Sequence, residues 1–342
     1  VSRNEEGLGF KKFRMGNTRF QTAIDGRYAT GISDLRAVGE IFELAALSDQ
    51  AAGPLQVTVS ATGTNETHKV NAEIAMQRGS LRDRPVAGLS ASFDGTIDPH
   101  WLRGQLSGSG QLGTDPFSLA GNLAVKLQSA DARTAFTIEK MRAVIGASRL
   151  LADLSSDGTQ SITGTVLIDS DDIGDVAALA LVEASGSVNG RLDLIDTSGM
   201  QTVQADLQMR KMKFGDYSAA SLDLVGSVVD LFGQPKVGAT LSGQSIGAGE
   251  FEIVSVAGKI GTNGDISNFD LQAALAQFDT RIQTTGDVRY GANEMTVSVK
   301  TLSAQSQLAN ASLRSPATIA LRSGQTVISN AALAVGEGSI VV

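Results

Sequence analysis

The sequence contains no cysteine, which excludes disulfide frameworks and cysteine nucleophiles. Aromatic residues make up only 5% of the chain, so the aromatic-lined cleft of a glycan-cleaving enzyme is not expected. Basic residues are outnumbered, and the formal charge of -8 argues against a nucleic-acid partner and against binding to an anionic membrane surface. No apolar run reaches the ~18 residues of a membrane-spanning helix. The chain starts without Met and stops inside an apolar pattern, so we expect it to be a piece of a longer protein.

What the sequence does have is aliphatic residues, within a hydrophobic content of 42%, that alternate with polar ones. Side chains of a strand point to opposite faces with a period of two, so this alternation predicts strands with one dry and one wet face. Four successive runs alternate in the same way: Ser187–Asp196, Val203–Arg210, Leu222–Val228 and Val237–Ser242. The sequence therefore predicts a sheet that is aliphatic on one side.

The same pattern extends over most of the chain, which we predict to be one continuous segment, 1–342. Residues 1–50 alternate less regularly, and the segment Arg36–Leu47 fits either a helix or two short strands. From residue 51 to the end, strands repeat between glycine-rich turns. The segment Asp172–Val182 breaks the period, and its acidic start and Ala/Leu content favour a short helix over a buried strand.

Two short motifs resemble catalytic or cofactor signatures but lack their structural context. The dinucleotide pattern at Gly108–Gly113 needs a following helix, whereas another strand pattern follows here. The Gly-x-Ser-x-Gly pattern at Gly243–Gly247 needs a downstream histidine, but His68 and His100 both precede it. Both motifs are best interpreted as glycine-rich turns.

The acidic segment Asp169–Asp175 resembles the start of a calcium loop. Ile173 stands at the fifth ligand position and Ala180 at the twelfth, so the cage is incomplete and a solvated turn is expected. The single tryptophan, Trp101, is expected to pack at the end of a sheet. We therefore predict no catalytic residue, no metal site, no cofactor and no enzymatic activity.

The dry face of the sheet must be shielded from water, and the sequence leaves two ways in which this could happen. The sheet either closes on itself as a sandwich, barrel or solenoid, which is what apolar faces usually do, or it bends into a trough left partly open for acyl chains. Small residues on this face are expected to widen such a trough: Gly121, Gly164, Gly190, Ala205, Gly226 and Ala239.

Gly-x-Leu-x-Leu runs such as Gly190–Leu194, and the segment Lys213–Gly226, resemble the TamB-like family, part of the AsmA-like group of bridge-like lipid-transfer proteins. The helical segment before Gly186 and the spacing of Gly258–Thr262 before Phe269 are also similar to that family. The resemblance covers most of residues 50–342, and it consists of periodicity and glycine placement.

This resemblance implies an all-β fold: an elongated antiparallel meander curled into a β-taco groove, with one or two short helices. It implies a periplasmic protein, anchored to the inner membrane by a segment outside this chain, that conducts phospholipid to the outer membrane and supports outer-membrane biogenesis. An outer-membrane partner would bind regions outside this chain. Chaperoning of outer-membrane or autotransporter proteins is the alternative role, and a β-helical passenger or adhesin is the alternative class.

The residues that we predict to line the groove lie on the dry side of their strands, where they would contact phospholipid acyl chains. A register error of one residue exchanges the two faces of a strand. The predicted positions are Leu192, Leu194, Val203, Leu207, Leu222, Leu224, Val237, Leu241, Phe251, Ile253, Leu271, Val297 and Val299.

Overall fold

The computed structural model describes the whole chain except residues 1, 5–6, 30–31, 47–49, 65, 82–83, 128–133, 180–181, 250, 265, 292–293, 323–324 and 342. The chain divides into two compact units, Val1–Glu183 and Ala184–Val342. The division follows the helical segment, which is the place where the two-residue period of the sequence breaks.

The first unit is an antiparallel meander with one short α-helix, α1 (Gly174–Leu179), and one 3-10 turn (Leu44–Ala46). Each long strand pairs with the next along the chain. Its strands are β1 (Ser2–Asn4), β2 (Gly7–Gly16), β3 (Phe20–Ala29), β4 (Ile32–Ile41), β5 (Ala51–Ala52), β6 (Leu55–Thr64), β7 (Thr67–Leu81), β8 (Arg84–Ile97), β9 (Trp101–Leu112), β10 (Asp115–Lys126), β11 (Phe136–Ile145), β12 (Ser148–Ser156) and β13 (Thr163–Ser170).

The second unit is an antiparallel meander from Ala184 to Gln305, with a 3-10 turn at Gln277–Asp279, and beyond Gln305 the strands no longer pair in chain order. No described pairing joins its first strand to its last, so within the residues that the structure describes this meander stays open. Its strands are β14 (Ala184–Thr197), β15 (Met200–Phe214), β16 (Tyr217–Val229), β17 (Lys236–Ala248), β18 (Phe251–Asn263), β19 (Ile266–Leu275), β20 (Thr280–Tyr290), β21 (Glu294–Gln305), β22 (Asn310–Ser315), β23 (Ala317–Arg322), β24 (Gln325–Ser329), β25 (Ala332–Val335) and β26 (Gly338–Val341).

The predicted fold class, an all-β antiparallel meander with one or two short helices, is confirmed. The helix predicted within Asp172–Val182 is α1, which is shorter than the segment proposed for it. The open segment Arg36–Leu47 resolves into the end of β4 and a 3-10 turn, while Leu47 lies outside the described residues. Residues 7–41 contain three ten-residue strands, and a bulge at Lys12 in β2 accounts for part of their loose alternation.

Strands β15 and β17 are longer than the alternating runs that predicted them. Lys211 and Ser245 have φ angles of 51° and 47°, an unusual backbone conformation for residues other than glycine. Lys211 is the extra residue of a β-bulge in the pairing with β14, whereas the pairing of Ser245 with both neighbouring strands keeps its register. Both residues re-aim the side chains that follow them, so pairing continues past the point where simple alternation ends. The Ile246 side chain accordingly lies 2.9 Å from where a Cβ of Gly243 would be.

Candidate functional site

The candidate site is one face of the sheet in the second unit, which we call the apolar face. Cross-strand partners in a sheet project to the same side, so the pairing register shows which side chains are neighbours. One row crosses eight strands from β14 to β21, with hydrophobic residues or glycine at every position but one. It consists of Gly190, Leu207, Leu224, Leu241, Gly258, Leu271, Thr284 and Leu302.

Parallel rows lie on either side of it, and they carry no charged residue between β14 and β21. The first of these rows is Val188, Met209, Leu222, Gly243, Val256, Ala273, Ile282 and Ala304. The second row is Leu192, Ala205, Gly226, Ala239, Ile260, Phe269, Gly286 and Val299.

The register brings the residues predicted to line the groove onto this one face. Leu194, Val203 and Val237 belong to a further row through Val228. Val297 stands two residues before Val299 on the same strand. Two predicted groove residues remain. Ile253 pairs with Leu275 of the apolar face, next to a register shift. The side chain of Phe251 lies outside the described residues.

A concave part of the apolar face forms a cavity of about 280 Å³ across β15–β19. This volume is near the lower end of the ~300–1,000 Å³ range of ligand pockets. Five of the predicted groove residues line it, together with Ile260 and Val228, which the sequence did not single out. The predicted ones are Val203, Leu224, Val237, Leu241 and Leu271.

Small residues on the apolar face line its cavity and accommodate neighbouring side chains. Ala205, Gly226, Ala239 and Gly258 line the cavity. A Cβ on Gly226 would lie 2.6 Å from the Cβ of Ala239, and one on Gly190 would lie 2.8 Å from the Leu207 side chain. Gly258 is covered by Leu271 in the same way.

The glycines of the first unit do not widen a trough either. A Cβ on Gly121 would lie 3.0 Å from the Met141 sulfur, and Gly164 has a φ of 135° and approaches a neighbouring carbonyl. The expectation that these glycines open space is therefore wrong: neighbouring side chains or backbone already occupy it. Glycine in a strand marks such close approaches.

Much of this chain's surface stays in contact with water. The total accessible area is 20736 Å². Two separate compact globules, each with half of the 35.4 kDa, would together expose about 16,000 Å². Ile145 and Ser170 are the largest fully buried side chains in the described part of the chain. The aliphatic rows of the apolar face are half-buried and lack the full cover that a closed core gives.

The first unit carries a comparable apolar face. One row crosses seven strands and contains Val57, Ile74, Ala91, Gly108, Leu119, Ala143 and Leu150. The ring of Phe93 lies over Gly95 and Gly104 of the same face. His68 also belongs to this face, in a row with Gly63 and Ile97.

The opposite face of the second unit carries the charges. Arg210 and Asp223 form an exposed ion pair at 2.7 Å, a type of contact worth little to stability. The hydrogen bond from Arg191 to the Asp193 carboxylate raises the pKa of the arginine. The charged side chains therefore lie on this hydrated face, and the aliphatic rows lie on the opposite, apolar face.

The motifs considered above lie in ordinary sheet elements. Gly108–Gly113 covers the end of β9 and its turn, as predicted. Gly243–Gly247 lies within β17, so the prediction of a turn there is wrong: the segment pairs with both neighbouring strands. The segment Asp169–Asp175 runs from β13 into α1, and the described residues contain no cluster of His, Asp or Glu suited to a metal ion.

None of the described helices has the length and hydropathy to cross a bilayer. Comparison of the chain with protein-family models, with curated proteins and with solved structures finds no match.

Proposed function

We propose that the apolar face is a path for phospholipid acyl chains. In this proposal the chain is a stretch of a periplasmic groove of the TamB-like kind that carries lipid between the inner and outer membranes and so supports outer-membrane biogenesis. The observation that carries the proposal is a set of parallel, uncharged aliphatic rows that neighbouring elements leave half exposed. The resemblance noted in the sequence supports the cellular setting.

The chemistry of the rows favours acyl chains over other ligands. Leucine, valine and isoleucine side chains present the same methyl and methylene groups as a fatty acyl tail, so contact removes apolar area from water on both sides. A charged or hydrogen-bonding ligand would lose hydration on this face without gaining partners. The proposal includes no acid, base or nucleophile, and no enzymatic step.

Photocrosslinking from the two faces of one strand tests the proposal. A photoreactive amino acid replaces Ala239, which lines the cavity, or the adjacent Thr240, which is exposed on the opposite face. We expect phospholipid adducts from position 239 and few from position 240, read by mass spectrometry of the purified protein. Equal labelling at both positions, or none at either, contradicts lipid binding in the groove. Adducts with unfolded outer-membrane polypeptides at position 239 would support the chaperone role in place of lipid conduction.

A further inference from the structure

A second cavity lies on the hydrated face of the first unit. It has a volume of about 490 Å³ and is formed by neighbouring strands β9, β10 and β11. The side chains of Trp101, Arg103 and Gln105 project to this face from β9, on the opposite parity to the apolar residues Leu102 and Leu106. The single tryptophan of the chain stands at the first residue of β9, at the end of the sheet as predicted, and it also lines this open cavity.

One carboxylate, that of Asp98, contacts both the backbone of Trp101 and the side chain of Arg103. Asp98 accepts hydrogen bonds from the backbone N–H groups of His100 and Trp101, both at 2.8 Å, and pairs with Arg103 at 3.3 Å. The Arg103 guanidinium then lies over the indole ring at 4.7 Å from the ring centroid. The indole and the guanidinium stacked on it present an amphipathic surface, which is the use that binding sites make of tryptophan.

Amide, carboxylate and hydroxyl side chains also line the cavity. Gln105, Asn122 and Glu139 are successive cross-strand partners, so their side chains stand in one row. In the next row Ala124 separates Arg103 from Thr137, and its single methyl group leaves the hollow between them. The register shift opposite Ala120 and Asn122 places an extra residue in β11, where Lys140 has a φ of 53°, and this bulge bends β11 beside the hollow. Bulges of this kind often lie next to binding sites, where they re-aim side chains.

The charges around the cavity favour a neutral ligand. Asp98 balances Arg103, and Glu139 contributes a carboxylate to the lining. Lys126 is the cross-strand partner of Trp101 at the edge of the site and offsets Glu139. No excess positive charge is therefore available for a phosphate or another anion.

We propose that this cavity binds a neutral saccharide of one or two rings. The C–H faces of a sugar ring would pack on the Trp101–Arg103 pair, and its hydroxyl groups would exchange hydrogen bonds with Gln105, Asn122 and Glu139. Amide and carboxylate side chains suit hydroxyl groups because they offer donors and acceptors in fixed planes. The site lies on the face opposite the aliphatic rows, so it is independent of the lipid proposal.

Tryptophan fluorescence tests this proposal directly, because Trp101 is the only tryptophan in the chain. Glucose, N-acetylglucosamine and their β-1,4-linked disaccharides are titrated into the full chain, with inorganic phosphate as the anionic comparison. Small ligands of this size bind with limited affinity per atom, so we expect saturation with a Kd of about 1 mM for at least one sugar. No saturable change with any sugar up to ~50 mM, or saturation by phosphate instead, overturns the proposal.

Three variants distinguish binding in the cavity from a general effect on fluorescence. Ala124→Leu fills the hollow without removing a polar group and should weaken sugar binding at least tenfold. Asn122→Ala should weaken binding three- to tenfold through lost hydrogen bonds. Gln272→Ala, on the hydrated face of the second unit, is the matched control and should bind as the parent does. Unchanged affinity in both cavity variants, each folded by circular dichroism, contradicts the assignment.

Discussion

Replacing Leu224 by aspartate tests the lipid path within the row that runs from Gly190 to Leu302. Leu224 stands between Leu207 and Leu241 on neighbouring strands, and it lines the cavity of the apolar face. The adjacent Val225 is 56% exposed on the opposite face, so Val225→Asp introduces the same charge one residue away on the hydrated side. The pair of variants separates the effect of the face from the effect of the charge.

The expected loss of affinity follows from the chemistry of the row. An acyl chain crossing position 224 would lose contact for about two methylene groups, at ~0.8 kcal/mol each. It would also desolvate part of a carboxylate, which costs at least ~1 kcal/mol. The sum of about 2.6 to 4 kcal/mol corresponds to binding that is roughly 80-fold to 1,000-fold weaker for Leu224→Asp. Val225→Asp should change the affinity less than about twofold, because its carboxylate stays in water.

Displacement of a fluorescent phospholipid probe from the purified chain measures these affinities, and native mass spectrometry counts co-purified lipid. Leu224→Ala serves as a size control, since it removes contact area without adding charge. Equal lipid binding by Leu224→Asp and Val225→Asp would refute the reasoning, because the two faces of β16 would then be equivalent to the ligand. Loss of folding is checked by circular dichroism in each variant.

Further predictions concern stability and pH. Gly286→Ala should destabilise the second unit by about 1–3 kcal/mol in urea unfolding, because its Cβ would collide with a neighbouring backbone carbonyl. The matched Gly261→Ala has open space and should be neutral or stabilising by up to ~1 kcal/mol. Ile145→Ala, at a site 2% exposed, should cost about 2–5 kcal/mol in the first unit. The His100 backbone N–H, bonded to Asp98, lowers the pKa of that carboxyl, so its contribution to local stability should be present above about pH 4 and be lost as the pH falls through the lowered pKa. Trp101 fluorescence should show this transition in the parent chain but not in Asp98→Asn.

The strands and their faces are local properties, and the sequence alone predicts them well. Alternation around Leu192 and Leu224 identifies the dry side of each strand without knowledge of its partners. The aliphatic composition and the absence of a charged residue on that parity follow from the sequence as well. The break in the period before residue 184 marks the helix that precedes the boundary between the two units.

Which of those residues become neighbours depends on register, and only the tertiary structure decides that. A bulge at Lys211 and a left-handed residue at Ser245 shift the alternation, and they are backbone conformations that no simple pattern of polar and apolar residues encodes. The covering of Gly258 by Leu271 likewise depends on two strands meeting in one alignment. The hollow beside Trp101 depends on the small side chain of Ala124 on the next strand, and the two residues line one cavity although they lie 23 positions apart in the chain. Local sequence thus fixes which way each side chain points, whereas the pairing of distant strands fixes what it meets there.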